Sequence, residues 1–344
     1  MEQPYFELSK GKVLGQYAKV RQLADAVSYS SKTNQQVTPI LEENTDSLFS
    51  VHFEGELKHV RDKSRVIFLA QAWMPQQIDG LLAMGIRSFV VDNEPDLDVL
   101  IEHLPSQSEK ITLYLRIKLR EHTLRTERFF VFGMSADVVN ERIKKLAGNP
   151  SIASLGVHFH RKTQNVSEWN LVYEVSNLLS PEALKAIQLI NIGGGLPSDY
   201  ANTNPGILPG ILEKIREFRS WANGRGIKLV VEPGRFIAAP ACKLVTTIIG
   251  IHENNVIVNA SVYNSDLDAV IVPVKLLVEG ELPAGQGKPF VVKGVTPCSV
   301  DLFRYRVYLV EPKVGQRLVF LNAGAYNFAS DFCDLEKLET KVVE

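Results

Sequence analysis

Ile190-Asn191-Ile192-Gly193-Gly194-Gly195-Leu196-Pro197, echoed downstream by Val230-Val231-Glu232-Pro233-Gly234-Arg235-Phe236, is the stretch whose reading decides the fold. Each half reads as an apolar strand running into a tight turn. Glycine lacks a Cβ, so three in a row let backbone N–H groups converge on an anion that a bulkier residue would keep away. Glycines also serve plain turns and close packing, so the triple glycine alone is a weak signal. The second turn strengthens it: Gly234 repeats the backbone freedom, Arg235 adds a fixed positive charge and Glu232 puts a carboxylate at a strand end. Two such turns imply one phosphorylated cofactor.

Upstream of this stretch the pattern alternates between helical segments and short strands ending on a polar residue. A helix is expected over Lys10 to Ala26, where Val13, Leu14, Tyr17, Val20, Leu23 and Ala24 follow helical spacing. A strand is expected from Val27 to Asn34, with Lys32 near its end. The later strand ends are Ser50, Gln71, Asp92, Arg116, His160, Gly193 and Glu232, which with Lys32 makes eight. Eight strands separated by helices predict an α/β fold, a (β/α)8 TIM barrel whose site lies at the carboxyl ends of the strands. A doubly wound open sheet shares the alternation, since periodicity does not reveal closure. In both folds the strand-end residues face ligand.

After Pro240 short apolar runs take over, at Leu244–Ile251, Val256–Val262, Ala269–Leu277, Phe290–Lys293 and Arg317–Leu321, with turn residues between them. The expected organisation is therefore a barrel over residues 1–240 and an all-β domain over 241–344. The 344 residues carry 38 basic and 39 acidic side chains, for a formal charge of −1, with no basic run to suit nucleic acid or a membrane surface. Three cysteines without metal-ligand spacing, and an N-terminus without a signal-peptide pattern, lead to the expectation of a cytoplasmic protein with no structural metal.

A phosphate cradle on late strands, a lysine at the end of the first and a carboxylate at Glu232 suit pyridoxal phosphate. Its aldehyde needs an amine, its pyridine nitrogen a charged partner and its phosphate a set of amides. Tyr29-Ser30-Ser31-Lys32-Thr33-Asn34, the Arg116 strand, Phe132-Gly133, His158-Phe159-His160 and the two glycine turns are followed by Thr296-Pro297-Cys298-Ser299-Val300-Asp301 and Asn322-Ala323-Gly324-Ala325-Tyr326. In this order they resemble the fold-type III pyridoxal-phosphate decarboxylases, which include the ornithine, arginine and diaminopimelate decarboxylases and share their barrel with alanine racemase. The resemblance implies that Lys32 forms the Schiff base, His160 stacks on the cofactor ring and Glu232 pairs with the pyridine nitrogen. It further implies that Gly193, Gly194, Gly195, Gly234 and Arg235 hold the phosphate with help from Tyr326, and that Arg116 sits near the ring. Cys298 resembles the proton donor that a partner subunit supplies, which implies a homodimer with shared active sites.

The resemblance breaks after His160, where Arg161-Lys162-Thr163-Gln164 replaces a small residue, a glycine and a serine. Thr163 can stand in for the serine hydroxyl near the phosphate. Arg161 and Lys162 either reach solvent or bind an acidic group of the substrate. The acidic residue that basic-amino-acid decarboxylases place after Val262-Tyr263 is missing, with Asp266, Asp268 and Asp301 as candidate substitutes. The leading reading is a decarboxylase of an amino acid or amino-acid-derived intermediate, including one with an extra carboxylate. A racemase using Lys32 and Tyr263 as opposed bases is the alternative, and a non-catalytic cofactor-binding homologue is the third.

Overall fold

Parallel strands buried on both faces need near-continuous apolar sequence, and eight such runs form the first architecture of the computed structural model, which describes residues 2–104, 110–119, 132–167 and 169–344. A first strand, β1 (Tyr5–Ser9), precedes them. The barrel strands are β2 (Ala26–Ser30), β3 (Leu48–Val51), β4 (Val66–Ala70), β5 (Ser88–Val91), β6 (Ile111–Arg116), β7 (Ile152–His158), β8 (Leu189–Asn191) and β9 (Lys228–Val231). They pair in chain order, and β9 returns to β2 through Ala26↔Val230 and Val27↔Val231, so the sheet is a closed barrel. Ile67, Val90, Tyr114 and Val230 pack together inside it, with Ala26, Leu48, Leu69 and Leu189 against them. The interior is filled by side chains rather than open as a pore.

Closure is pinned by Asp25, one residue before β2. Its Oδ1 accepts from Arg219 Nη2 at 2.7 Å and its Oδ2 accepts from the Leu229 amide of β9 at 2.8 Å. Burial pushes the Asp25 carboxyl up, but the Leu229 amide and Arg219 outweigh it and hold the group below its ordinary value. Asp25→Ala is expected to destabilise the protein by about 1–2 kcal/mol at neutral pH. A depressed carboxyl stabilises the fold above its unfolded pKa, and that contribution fades as pH falls through the folded value. Urea unfolding of both proteins should therefore show a gap in midpoint at neutral pH that closes in strong acid.

The second architecture is an eight-stranded sheet of β1 with β10 (Cys242–His252), β11 (Asn255–Val258), β12 (Leu277–Val278), β13 (Lys288–Lys293), β14 (Leu302–Leu309), β15 (Arg317–Leu321) and β16 (Glu339–Val343). The eleven-residue β10 is its spine, pairing with β1 and β15 along its first half and with β11 beyond.

Two compact units result: Ala18–Pro197 with Gly206–Gly234, and Met1–Tyr17 with Ser198–Pro205 and Arg235–Glu344. This division differs from a cut after residue 240. β1 finds its backbone partners in β10 and β16, and the Ala201 amide finds its own in the Lys275 carbonyl. The expected strand over Ala269–Leu277 is also corrected. A helical turn at Asp268–Ile271 opens this region and only its last residue, Leu277, joins a strand, β12; another turn, Val262–Ser265, capped reciprocally by Ser261 and Asn264, precedes it. The opening helix ends at Arg21, and β2 stops at Ser30, where a 3-10 turn over Ser31–Thr33 begins. No helix among the described residues is long and apolar enough to cross a membrane.

Candidate active site

Three barrel strands meet at Glu232, the residue after β9. Its carboxylate is buried, with Oε1 accepting from Asn191 Nδ2 at 2.8 Å and Oε2 from His158 Nε2 at 3.2 Å. Burial alone would raise the carboxyl; His158, His160 and Asn191 more than reverse this, so Glu232 stays ionised far below its ordinary range. The sequence supplies this clamp by placing a polar residue at the ends of three adjacent strands, each of which is otherwise apolar.

Lys32 enters from the turn after β2. Ser31 is buried against Thr38, with their hydroxyl oxygens 3.1 Å apart, and the Ser30 amide donates to the Pro233 carbonyl at 3.2 Å, which ties the end of β2 to the turn after β9. The Lys32 amine is half-buried and makes no hydrogen bond or ion pair with the described residues. Burial lowers its pKa, against the attraction of Glu232 and Glu56. Glu56 and His52 are mouth residues that sequence reading passed over. The Glu56 Oε1 accepts from the His52 amide at 2.9 Å. Burial raises the Glu56 carboxyl and, with Lys32, pushes the His52 ring far below its usual value, so His52 is neutral.

The glycine turn does its work differently from a bare anion cradle. The Gly193 amide donates to Asn191 Oδ1 at 2.9 Å, and the Gly194 amide to His160 Nδ1 at 3.1 Å. Of the three, only the Gly195 amide is without a hydrogen bond among the described residues. The glycines are instead required by crowding. A Cβ on Gly193 would lie 2.5 Å from the Phe159 carbonyl oxygen, one on Gly194 2.8 Å from that of Glu232, and one on Gly234 would collide with Thr33 Oγ1. His160 is exposed at the barrel mouth, and the protein packed around it and the Lys32 charge hold its ring below the ordinary value. Because its Nδ1 accepts from Gly194, its proton sits on Nε2. His158, His160 and Glu232 bring ligand atoms within 4.8 Å of one another, a spacing that suits a cation. Their hydrogen bonds instead commit Nδ1 of His160, Nε2 of His158 and both carboxylate oxygens.

The remaining expected residues separate into two groups. Arg116 stays in the barrel, its Nη1 3.2 Å from Asp92 and its guanidinium 4.9 Å above the Phe132 ring. Thr163 is half-buried and Lys162 exposed. Arg161 is corrected on one point: it does not reach solvent. It is 1% exposed, bonded through Nη2 to Glu174 at 2.7 Å and placed between Phe159 and Trp169. A buried guanidinium needs such a carboxylate and aromatic faces.

Arg235, Tyr326, Cys298 and Asp301 belong to the second unit. There Arg235 is bidentate to Asp268, donates to the Tyr200 hydroxyl at 2.8 Å and lies 5.2 Å from the centre of the Tyr326 ring. The Arg235 charge expected to help hold a phosphate is closed in a buried ion pair, whose acid the sequence offered only as an amine ligand. Asp301, expected as a substrate ligand, has oxygens that accept from the amides of Val262 and Thr296 and from the Thr296 hydroxyl.

At its aldehyde and pyridine ends pyridoxal phosphate fits these residues, since an unpaired, partly desolvated amine and a buried permanent carboxylate serve the same barrel mouth. Residues 11–239 match the family model described as pyridoxal-dependent decarboxylase, pyridoxal binding domain. The chain is 24% identical over 279 residues to diaminopimelate decarboxylase of Zymomonas mobilis, covering 76% of this chain and 65% of that protein. It is 26% identical over 222 residues to the 2-[(L-alanin-3-ylcarbamoyl)methyl]-2-hydroxybutanedioate decarboxylase of Staphylococcus aureus, covering 60% of this chain and 55% of that protein. The chain thus spans about two thirds of the first relative's length and little over half of the second's. The crystal structure of diaminopimelate decarboxylase from Helicobacter pylori complexed with L-lysine shares the fold, with a TM-score of 0.83 and 20% identity over 100% of this chain and 92% of that one.

Proposed function

The chain belongs to the pyridoxal-dependent decarboxylases, and from that premise we infer that it removes carbon dioxide from an amino acid or amino-acid-derived compound carrying a second carboxylate. The observation that carries the chemistry is the buried, ionised Glu232, held by His158 and Asn191 in the barrel that also bears Lys32. When bound, pyridoxal phosphate supplies an electron sink conjugated to the substrate's α-carbon. Lys32 supplies the amine that anchors it, made a better nucleophile by burial. Glu232 keeps a full negative charge where the pyridine nitrogen is to be held protonated. The neutral ring of His160 offers a flat face at the mouth, and Cys298 gives a proton to the α-carbon after carbon dioxide has left. The assembly in this reading is a cytoplasmic homodimer in which one copy lends its cysteine to the other; three free cysteines accord with a reducing compartment.

The substrate class follows from which acids are already engaged. Asp268 is taken by Arg235 and Asp301 by backbone amides, while Asp266 is fully buried and pushed towards its neutral form by burial and by Asp268, so none of the three offers a free charge to a distal ammonium, and a desolvated ammonium without a carboxylate is costly. A distal carboxylate beside that ammonium supplies the compensating charge within the substrate itself. Relatives named for diaminopimelate and for a substituted hydroxybutanedioate support the reading. Carbon dioxide release from the cofactor-loaded enzyme should be at least about tenfold higher in kcat/KM with diaminopimelate or a related amino polycarboxylate than with ornithine or lysine. Preference for ornithine or lysine would overturn the substrate class. Exchange of the α-hydrogen with solvent deuterium without carbon dioxide release would overturn decarboxylation in favour of racemisation.

A further inference from the structure

Tyr263 and Cys298 come from different segments of the second unit, yet the tyrosine hydroxyl lies 3.2 Å from the thiol sulfur. The contact is built from both sides. Tyr263 sits in the turn Val262–Ser265, its amide donating to Ser261 Oγ, and its carbonyl accepts from the amide and the hydroxyl of Ser330. Its ring lies flat on Phe332, with centroids 3.8 Å apart and planes 19° from parallel. On the thiol side the Asp301 amide donates to the Cys298 carbonyl at 3.0 Å, closing a turn. The Asp301 carboxylate then bonds the Val262 amide at 2.9 Å, next to Tyr263. Asp301, buried and at first sight a substrate ligand, is therefore the staple joining the turn that bears the thiol to the turn that bears the tyrosine.

We propose that Tyr263 is the positioning residue for Cys298: its hydroxyl, fixed by the Phe332 stack, orients the thiol and stabilises the sulfur anion left when that thiol gives up its proton. The proposal rests on the reading of Cys298 as proton donor. In that step the S–H bond breaks, the proton goes to the substrate carbon and the electron pair stays on sulfur, where an O–H donor meets it. The electrostatics of the pair run the same way. The Tyr263 hydrogen bond, followed by the amides of Val300 and Asp301, holds the Cys298 thiol below its ordinary value. The Asp301 carboxylate opposes them. Tyr263 itself is pushed up to about 12, chiefly by Cys298 with smaller contributions from Asp301 and Cys333, so it remains a donor throughout the range in which the thiol ionises.

The test is a titration of thiolate ultraviolet absorbance on the cofactor-loaded enzyme, with the Cys298→Ser protein subtracted to isolate this one sulfur. The midpoint should fall below the ordinary thiol value of about 8.5 and rise by about one pH unit in Tyr263→Phe, which keeps the ring on Phe332 and loses only the hydroxyl. A midpoint unchanged by Tyr263→Phe overturns the proposal. Linkage supplies a second measurement should that variant fail to fold, because Cys298→Ala must lower the pH at which Tyr263 ionises, and a tyrosine titration indifferent to Cys298 overturns it equally. Product formation undiminished in Cys298→Ala would remove the proton-donor role while leaving the titration result standing, so the two failures are distinguishable.

Discussion

Lys32→Met is expected to lower cofactor-dependent carbon dioxide release by at least about 10³-fold without lowering stability. The loss follows from chemistry, because methionine has no amine with which to anchor an aldehyde. The second half is the sharper claim. The Lys32 ammonium is half-buried, makes no hydrogen bond or ion pair with the described residues, and has its pKa lowered by burial despite Glu232 and Glu56. A lysine whose folded pKa lies below its unfolded value binds fewer protons in the native state. Between those two values, stability therefore rises with pH, and below both the penalty is fully present. Replacing the charged head with an apolar chain of similar length relieves that penalty, so thermal unfolding of the cofactor-free proteins should show the variant at or above the wild-type Tm at neutral pH. The gap should narrow as pH climbs towards the ordinary lysine value. A variant that is inactive because it is destabilised would mark Lys32 as a packing residue, whereas loss of activity in an equally stable protein marks it as the anchor.

Glu232→Gln is expected to harm both activity and stability. The wild-type carboxylate accepts from His158 and Asn191 at the buried junction of β7, β8 and β9, and its charge is what those donors are arranged around. Glutamine keeps the shape but turns one acceptor into a donor, so an N–H group faces another donor. The expected cost is about 2–4 kcal/mol in chemical denaturation of the cofactor-free protein. In the proposed reading activity should fall by about 10²-fold or more, since a bound pyridine nitrogen would lose the charge that keeps it protonated. The pH dependence has the same sign as that of Lys32, because both groups bind fewer protons in the native state; Lys32 carries a penalty lifted at high pH and Glu232 a contribution lost at low pH. A depressed carboxyl contributes stability above its unfolded value and loses it as pH falls through the folded one, so the difference between the wild-type protein and the glutamine variant closes only in strong acid.

The barrel was readable because its strands are apolar runs that stop abruptly, at Val91 before Asp92 and at Val231 before Glu232, and burial on both faces leaves such a run few other uses. The same logic made Lys32, His160 and Glu232 readable as residues at the mouth. What residue types do not encode is which partner each will find. Arg161 and Arg235 carry the charge expected of ligand-binding residues, and each is instead closed on a carboxylate of its own unit, Glu174 and Asp268. The amides of Gly193 and Gly194 were read as donors open to an anion, but Asn191 and His160, both in plain view in the sequence, claim them. β14 and β16 were overlooked because Leu302–Leu309 carries two arginines and two tyrosines and Glu339–Val343 is largely exposed. Each is a strand because a neighbour offers it a backbone ladder, a property of the partner more than of the segment.

Asp25 and the residues it holds lie where β2 and β9 begin, whereas Lys32 and Glu232 lie where the same two strands finish. The clasp that keeps the staves together is therefore at the floor, and the residues proposed for chemistry are at the rim. Evolution, or an engineer, can rewrite the rim to change what the enzyme accepts without loosening the clasp, and a family on this plan has room to diverge in substrate while keeping one closure.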